Sequence, residues 1–157
     1  MEKVRDMVRA RLLQELERFI FEQEEIDPAE LLSIAADECL VQGDRVNARR
    51  FAVRACCLDH DHQDSLWYIR EAENRRSEGA KMFRVVASGP NRFLDRRYCA
   101  VQYHVVSDEP DDVLTYVREL EPDMPELKLE ILDSVSRPDL PWGVYWRSPW
   151  VTSGKKS

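Results

Sequence analysis

The chain has 157 residues, a length that suits one domain or two small lobes, and 43% of them are hydrophobic, enough for a packed core. Its net charge of −7 argues against a nucleic-acid or anionic-membrane binder taken over the whole chain. No apolar run approaches the roughly 18 residues of a membrane span, and Met1–Asp6 lacks the apolar stretch of a secretion signal, so a cytoplasmic protein with no membrane partner is expected.

From the start to about Gly79 the apolar residues recur at three and four. Val4, Val8, Leu12, Leu16, Phe19 and Ile20 form one stripe, which predicts an amphipathic helix over 3–24. Asp27-Pro28-Ala29-Glu30 reads as a helix start, with Asp27 as cap, Pro28 at the first helical position and Glu30 reaching back in a capping box. That helix carries Leu31, Leu32, Ala35, Ala36, Cys39 and Leu40 and ends at Gly43. Asp44 caps a third helix with Val46, Ala48, Phe51, Ala52, Ala55 and Leu58, and a fourth begins near Asp64-Ser65 with Leu66, Ile69 and Ala72, Trp67 and Tyr68 lying beside them.

The period then drops to two. Met82–Ala87 predicts a strand followed by a loop from Gly89-Pro90-Asn91. Cys99, Val101, Tyr103 and Val105 alternate with Ala100, Gln102, His104 and Val106 as a second strand. Pro110 opens a helix with Val113, Leu114, Val117 and Leu120 inward, and Pro122 and Pro125 close it. Leu127, Leu129 and Ile131 mark a third strand, and Val144–Arg147 a further one. The reading is an α+β chain, with antiparallel helices over 1–79 followed by a small β-β-α-β lobe with a last β-strand over 80–157.

Residues 29–62, AELLSIAADECLVQGDRVNARRFAVRACCLDHDH, span 34 residues and resemble a tetratricopeptide repeat. Ala36 stands where that family packs a small residue between its two helices, Gly43-Asp44 makes the turn, and Ala48 and Ala55 occupy the small positions of the second helix. The family's aromatic of the second helix falls on Ala52, with Phe51 one place early, and His60 replaces the exit proline. Methyl-sized side chains at these points let two antiparallel helices cross closely, with larger Leu31, Phe51 and Leu58 at the flanks. A single repeat needs neighbours to bury its open face, and the flanking helices are the natural ones.

The resemblance implies a binding scaffold whose concave surface takes peptides or partner proteins. On that surface it places Glu30, Ser33, Asp37 and Leu40, without the Lys and Asn by which some members grip a terminal carboxylate. Residues 1–79 hold 12 basic and 18 acidic side chains, so a basic or neutral protein partner is expected. The tail residues Trp142, Tyr145, Trp146 and Trp150 form a second candidate partner surface, or a lid over the small sheet.

Arg84, Arg92, Arg96 and Arg97 lie around the loop joining the first two strands, with Phe93 and Tyr98 among them. They would serve an anion or nucleic-acid-associated regulator, the alternative reading, or pair within the protein. His60 and His62 beside Asp59, Asp61 and Asp64 are the only cluster of metal-ligand types. Alternate loop residues rarely complete a coordination shell, so no metal or other cofactor is expected and a small metal-dependent hydrolase is the least favoured alternative. Cys39, Cys56, Cys57 and Cys99 have no paired spacing and read as buried free thiols. Cys99 and His104, five apart on one strand, face opposite sides and cannot form a nucleophile–base pair. No catalytic set emerges. The expectation is a non-enzymatic, regulatory protein-interaction adaptor, in which helices or a sheet edge would permit a homo-oligomer.

Overall fold

The computed structural model describes the backbone of residues 1–156 and the side chains of 1–152. The helices precede the strands in a mixed α+β chain that divides into two compact units, Met1–Glu73 and Asn74–Ser157. Among the described residues there are six α-helices and one five-stranded antiparallel sheet.

The first unit holds α1 (Glu2–Arg9), α2 (Leu13–Glu22), α3 (Pro28–Val41), α4 (Arg45–Leu58) and α5 (Asp64–Glu73). The single helix expected over 3–24 is two helices. Arg11 takes φ 59°, and the Arg11 and Leu12 amides donate to the carbonyls of Val8 and Met7, both at 3.0 Å. No glycine or proline marks this break. Its consequence is that Val4 with Val8, and Leu16 with Ile20, are buried as two separate pairs, while Leu12 is exposed.

At the head of α3, Asp27 Oδ1 accepts from the Ala29 amide at 3.0 Å with Pro28 at the first position. Glu30 does not complete a box; its carboxylate lies 3.6 Å from His62 Nε2. Asp44 caps α4 by accepting from the Asn47 amide at 3.1 Å. Between the two helices Gly43 takes φ +78°, where a β-carbon would be strained.

Ala36, Ala48, Ala52 and Ala55 are all fully buried with Leu31, Leu32 and Phe51, so the α3–α4 hairpin is closed by methyl groups at its centre and large side chains around it. Across α2 and α4, Arg50 and Arg54 both meet the Glu17 carboxylate, Arg54 at 3.3 Å. The last helix of this unit stops at Glu73, where Asn74 takes φ +47°.

The second unit begins at Asn74 rather than after Gly79. Arg75 and Ser77 are tied to its own tail, the Arg75 carbonyl accepting from the Trp142 amide at 2.7 Å and Ser77 Oγ from Trp142 Nε1 at 3.0 Å. Its strands are β1 (Lys81–Asn91), β2 (Arg97–Ser107), β3 (Lys128–Ser136), β4 (Gly143–Arg147) and β5 (Val151–Lys156), with α6 (Pro110–Leu120) after β2. The sheet order is β3-β1-β2-β4, and β5 also pairs with β2.

The first strand runs four residues past its expected end at Ala87, through the residues read as a loop. Pro90 pairs with Tyr98, and Asn91 Oδ1 accepts from the Phe93 and Leu94 amides to turn the chain after it. Gly89 permits this because a β-carbon there would sit 3.1 Å from Leu127 Cα. Sequence periodicity missed β5, whose pairing with β2 starts at Ala100 and Val151.

One face of the sheet, Phe83, Val85, Ala87, Val101, Tyr103 and Val105, is buried with Val113, Val117 and Leu120 of α6. The alternation read from Cys99 to Val105 therefore does point into the core. Helix α6 starts at Pro110, and the Glu109 amide donates to Asp112 Oδ2 at 3.1 Å.

The alanine closure makes a quantitative expectation. Ala55→Leu forces three extra carbons into a filled seam and lowers the urea stability of the protein by about 1–3 kcal/mol, whereas Val46→Leu at an 80% exposed site changes it by under about 0.5 kcal/mol.

Candidate functional site

Helix α3 presents Ser33, Asp37, Leu40 and Val41 at helical spacing beside α1 and α5. Arg5 of α1 donates to Asp37 Oδ2 at 2.7 Å, and Arg9 Nη2 to Glu38 Oε1 at 3.0 Å. Glu38 is 2% exposed and also accepts from Gln42 Nε2 at 2.9 Å. The Gln42 hydrogen bond first, and the two guanidinium groups with it, outweigh burial and hold the Glu38 carboxyl below the ordinary carboxylate range. From α5, Tyr68 reaches Ser33, and burial, followed by the charge of Asp37, raises its hydroxyl above the ordinary tyrosine range.

Next to this polar seam lies an open depression of about 330 Å³ lined by Asp37, Leu40, Val41, Arg45, Trp67 and Glu71. Val41 is 69% and Trp67 48% exposed, and the Trp67 ring is braced edge-on by Tyr68 at a centroid distance of 5.3 Å. An indole held on its edge by a neighbour offers apolar area with little rotamer entropy left to lose.

The four expected groove residues thus fall in three different places. Leu40 and Asp37 line the depression, Ser33 is buried beneath Tyr68, and Glu30 stands apart beside His62. The depression is also less acidic than the residue count of the helices suggested. Asp37 is met by Arg5, and Arg45 lines the depression together with Glu71, so it carries charges of both signs beside Leu40, Val41 and Trp67. Trp67, Val41, Arg45 and Glu71 escaped the sequence reading. The signal for Trp67 was present, since it falls off the Leu66, Ile69, Ala72 stripe that packs inward.

The tail residues lie mostly inside their own unit. Trp142 is 3% exposed with the Arg75 guanidinium 3.6 Å above its ring, which removes it from any partner surface. Tyr145 donates to the Pro141 carbonyl, and Trp146, 37% exposed, leans on His104 with ring centroids 4.9 Å apart. Trp150 Nε1 donates to Glu121 Oε1 at 2.7 Å, and the same carboxylate accepts from Tyr103 at 2.6 Å and lies 3.9 Å from Arg147. Arg147, at the end of β4, is fully buried. Burial first, then the Glu121 carboxylate, holds the Tyr103 hydroxyl well above its ordinary range, so it remains a donor.

The four arginines do not form one cluster. Arg84 sits mid-strand and grips Asp133 of β3 at 2.6 Å, eight residues or about 26 Å of strand from Arg92. Arg92 donates to the Pro122 carbonyl at 2.9 Å, and Arg96 lies 4.0 Å from Glu126, while Arg97 is exposed. His62 Nδ1 is 3.0 Å from Ser65 Oγ, and among the described residues no group of three or more His, Cys, Asp or Glu could hold a metal ion. Burial pushes the Cys39 thiol up to about 12 and raises Cys99, the reverse of what a nucleophile requires.

No family model matches the sequence, and no curated protein or solved structure is significantly similar to it. Among the described residues no helix is long and apolar enough to cross a membrane.

The seam behind the depression predicts a pH dependence. Because the folded-state value of Glu38 lies below its unfolded value, its ionised form contributes stability above the unfolded carboxylate range, and that stability is lost as pH falls through the folded value. Glu38→Gln is therefore less stable than the parent at pH 7, and the gap between their urea midpoints narrows below about pH 4. A gap that widens on acidification contradicts this assignment.

Proposed function

We propose that the protein is a non-enzymatic adaptor that captures a short apolar-anchored segment of a partner protein in the depression between α3, α5 and the start of α4. The observation that carries this reading is Trp67. A half-exposed tryptophan, braced by Tyr68 and flanked by exposed Val41, costs solvation unless something covers it. Burying an aromatic or aliphatic anchor against Leu40, Val41 and Trp67 supplies the affinity, and Asp37, Arg45 and Glu71 on the rim set orientation.

The helical order supports the same reading. If α3–α4 is a tetratricopeptide-like repeat between α1–α2 and α5, the groove of such an array is the surface that carries Leu40 and Trp67. Its mixed-sign rim favours a neutral or weakly basic segment over a strongly basic one. A cytoplasmic, regulatory role belongs to this proposal and rests on the same face.

A display library of random twelve-residue peptides, selected on the intact protein, provides the test. Enriched peptides carry one large apolar anchor, and Trp67→Ala or Leu40→Glu weakens their binding at least tenfold, or about 1.4 kcal/mol, with helical circular dichroism unchanged. Enrichment that survives both substitutions overturns the reading.

A further inference from the structure

Helix α1 is joined to α2 by a motif that favours glycine and here carries an arginine. The Arg11 amide donates to the Val8 carbonyl and the Leu12 amide to the Met7 carbonyl, both at 3.0 Å, the paired closing bonds of a helix whose next residue turns left-handed. Arg11 is that residue, at φ 59°, where a β-carbon crowds the following carbonyl. Gly43 fills the same position after α3 without that crowding.

The local sequence asks for something else. Ala10, Arg11 and Leu12 are good helix formers and all three are exposed. Val4, Val8, Leu12, Leu16 and Ile20 recur every four residues straight through the joint. A cavity of about 20 Å³ lies there, lined by Val8, Arg9, Arg11, Leu13, Gln42 and Asp44, so packing does not seal the joint. The hold of α1 on α3 is also slight. Only Val4 and Val8 of this helix are buried, and ion pairs supply its polar ties. Arg5 lies 2.7 Å from Asp37 and 3.7 Å from Glu38, and Arg9 lies 3.0 Å from Glu38. Both guanidinium groups are partly exposed, which leaves these pairs open to screening by salt.

We propose that α1 occupies two positions. In one it is docked on α3 with Arg11 left-handed; in the other it continues α2 as a single helix through residues 10–12, carrying Arg5 and Arg9 away from Asp37 and Glu38. Docking buries two valines and pairs the charges. Straightening removes the left-handed residue and restores regular helical hydrogen bonds across the joint. Residues 2–9 are helical in both positions, so the motion is a hinge and not an unfolding. Because Asp37 also lines the depression, the straight position frees its carboxylate there and shifts the depression toward acidic, favouring a basic segment. That consequence rests on the adaptor reading; the hinge does not.

Backbone carbon chemical shifts of the whole chain, recorded without peptide between about 0.01 and 1 M sodium chloride, provide the test. At low salt Arg11 shows left-handed shifts. Raising the salt, or replacing both cations (Arg5→Gln with Arg9→Gln) at low salt, moves residues 10–12 toward helical values while residues 2–9 keep theirs. Arg11→Gly displaces the equilibrium back toward the docked position at least about tenfold, since glycine both removes the left-handed cost and weakens the continuous helix. Left-handed shifts that persist at Arg11 under every condition, or loss of helical shifts over 2–9 as α1 detaches, overturn the proposal. The adaptor reading fails on peptide selection and the hinge on these shifts, so the two failures are told apart.

Discussion

The backbones of α3 and α4 approach as closely as they do because methyl groups stand at 36, 48, 52 and 55 where larger side chains would hold them apart. Everything in the helical unit follows from that seam. With the alanine side of α3 turned against α4, the side bearing Asp37 and Leu40 is left for α1 and α5, and Arg5 and Tyr68 meet it there. Leu31, Leu32, Phe51, Leu66 and Ile69 then fill the space around the seam, each burial stabilising the fold by about 1.5–3 kcal/mol against the entropy of ordering the chain. The depression is what remains after this packing, a place where Trp67 and Val41 have no further helix to cover them.

The sheet unit is organised by a different constraint. A glutamate, an arginine and a tyrosine share its interior, all at 2% exposure or less, and none of them can be removed without stranding the others. Glu121 follows directly on α6, Tyr103 comes from β2 and Arg147 from β4, while Trp150 reaches the second carboxylate oxygen from beyond that strand. A buried pair of this kind adds little net stability over an apolar equivalent, yet losing one partner costs about 3–5 kcal/mol because the other charge is left uncompensated. Its effect is to bind the tail to the helix and sheet in one register. That is why the aromatic tail is mostly interior to its unit, leaving only Trp146 with substantial exposure.

Much of this was legible from residue order. The hairpin from 28 to 58 has its caps at Asp27 and Asp44 and a left-handed turn at Gly43, each a residue type with a known local preference. The alternation from Cys99 to Val105 named the inward face of β2 correctly, and Pro110 marked the start of α6. What escaped depends on tertiary partners. The break at Arg11 has no local signal, because arginine gains nothing from φ 59° and adopts it only so that two pairs of apolar residues are buried separately. Gly89 and Pro90 read as a loop, whereas the close passage of Leu127 keeps them in β1. Nothing local to Arg147 marks it as buried, since its partner Glu121 lies twenty-six positions earlier. The depression itself was half legible, Leu40 and Asp37 from the repeat pattern and Trp67 from its position off the inward stripe.

The account stands or falls on the α3–α5 face as the place where another protein sits, and amide chemical-shift mapping of the intact chain with a selected peptide reads that face residue by residue. The account predicts that the largest shifts fall on Asp37, Leu40, Val41, Trp67 and its indole, and Glu71, with α6 and the strands unmoved. Shifts concentrated on β3, on the Arg92–Arg97 turn or on Trp146, with Trp67 unchanged, would contradict it.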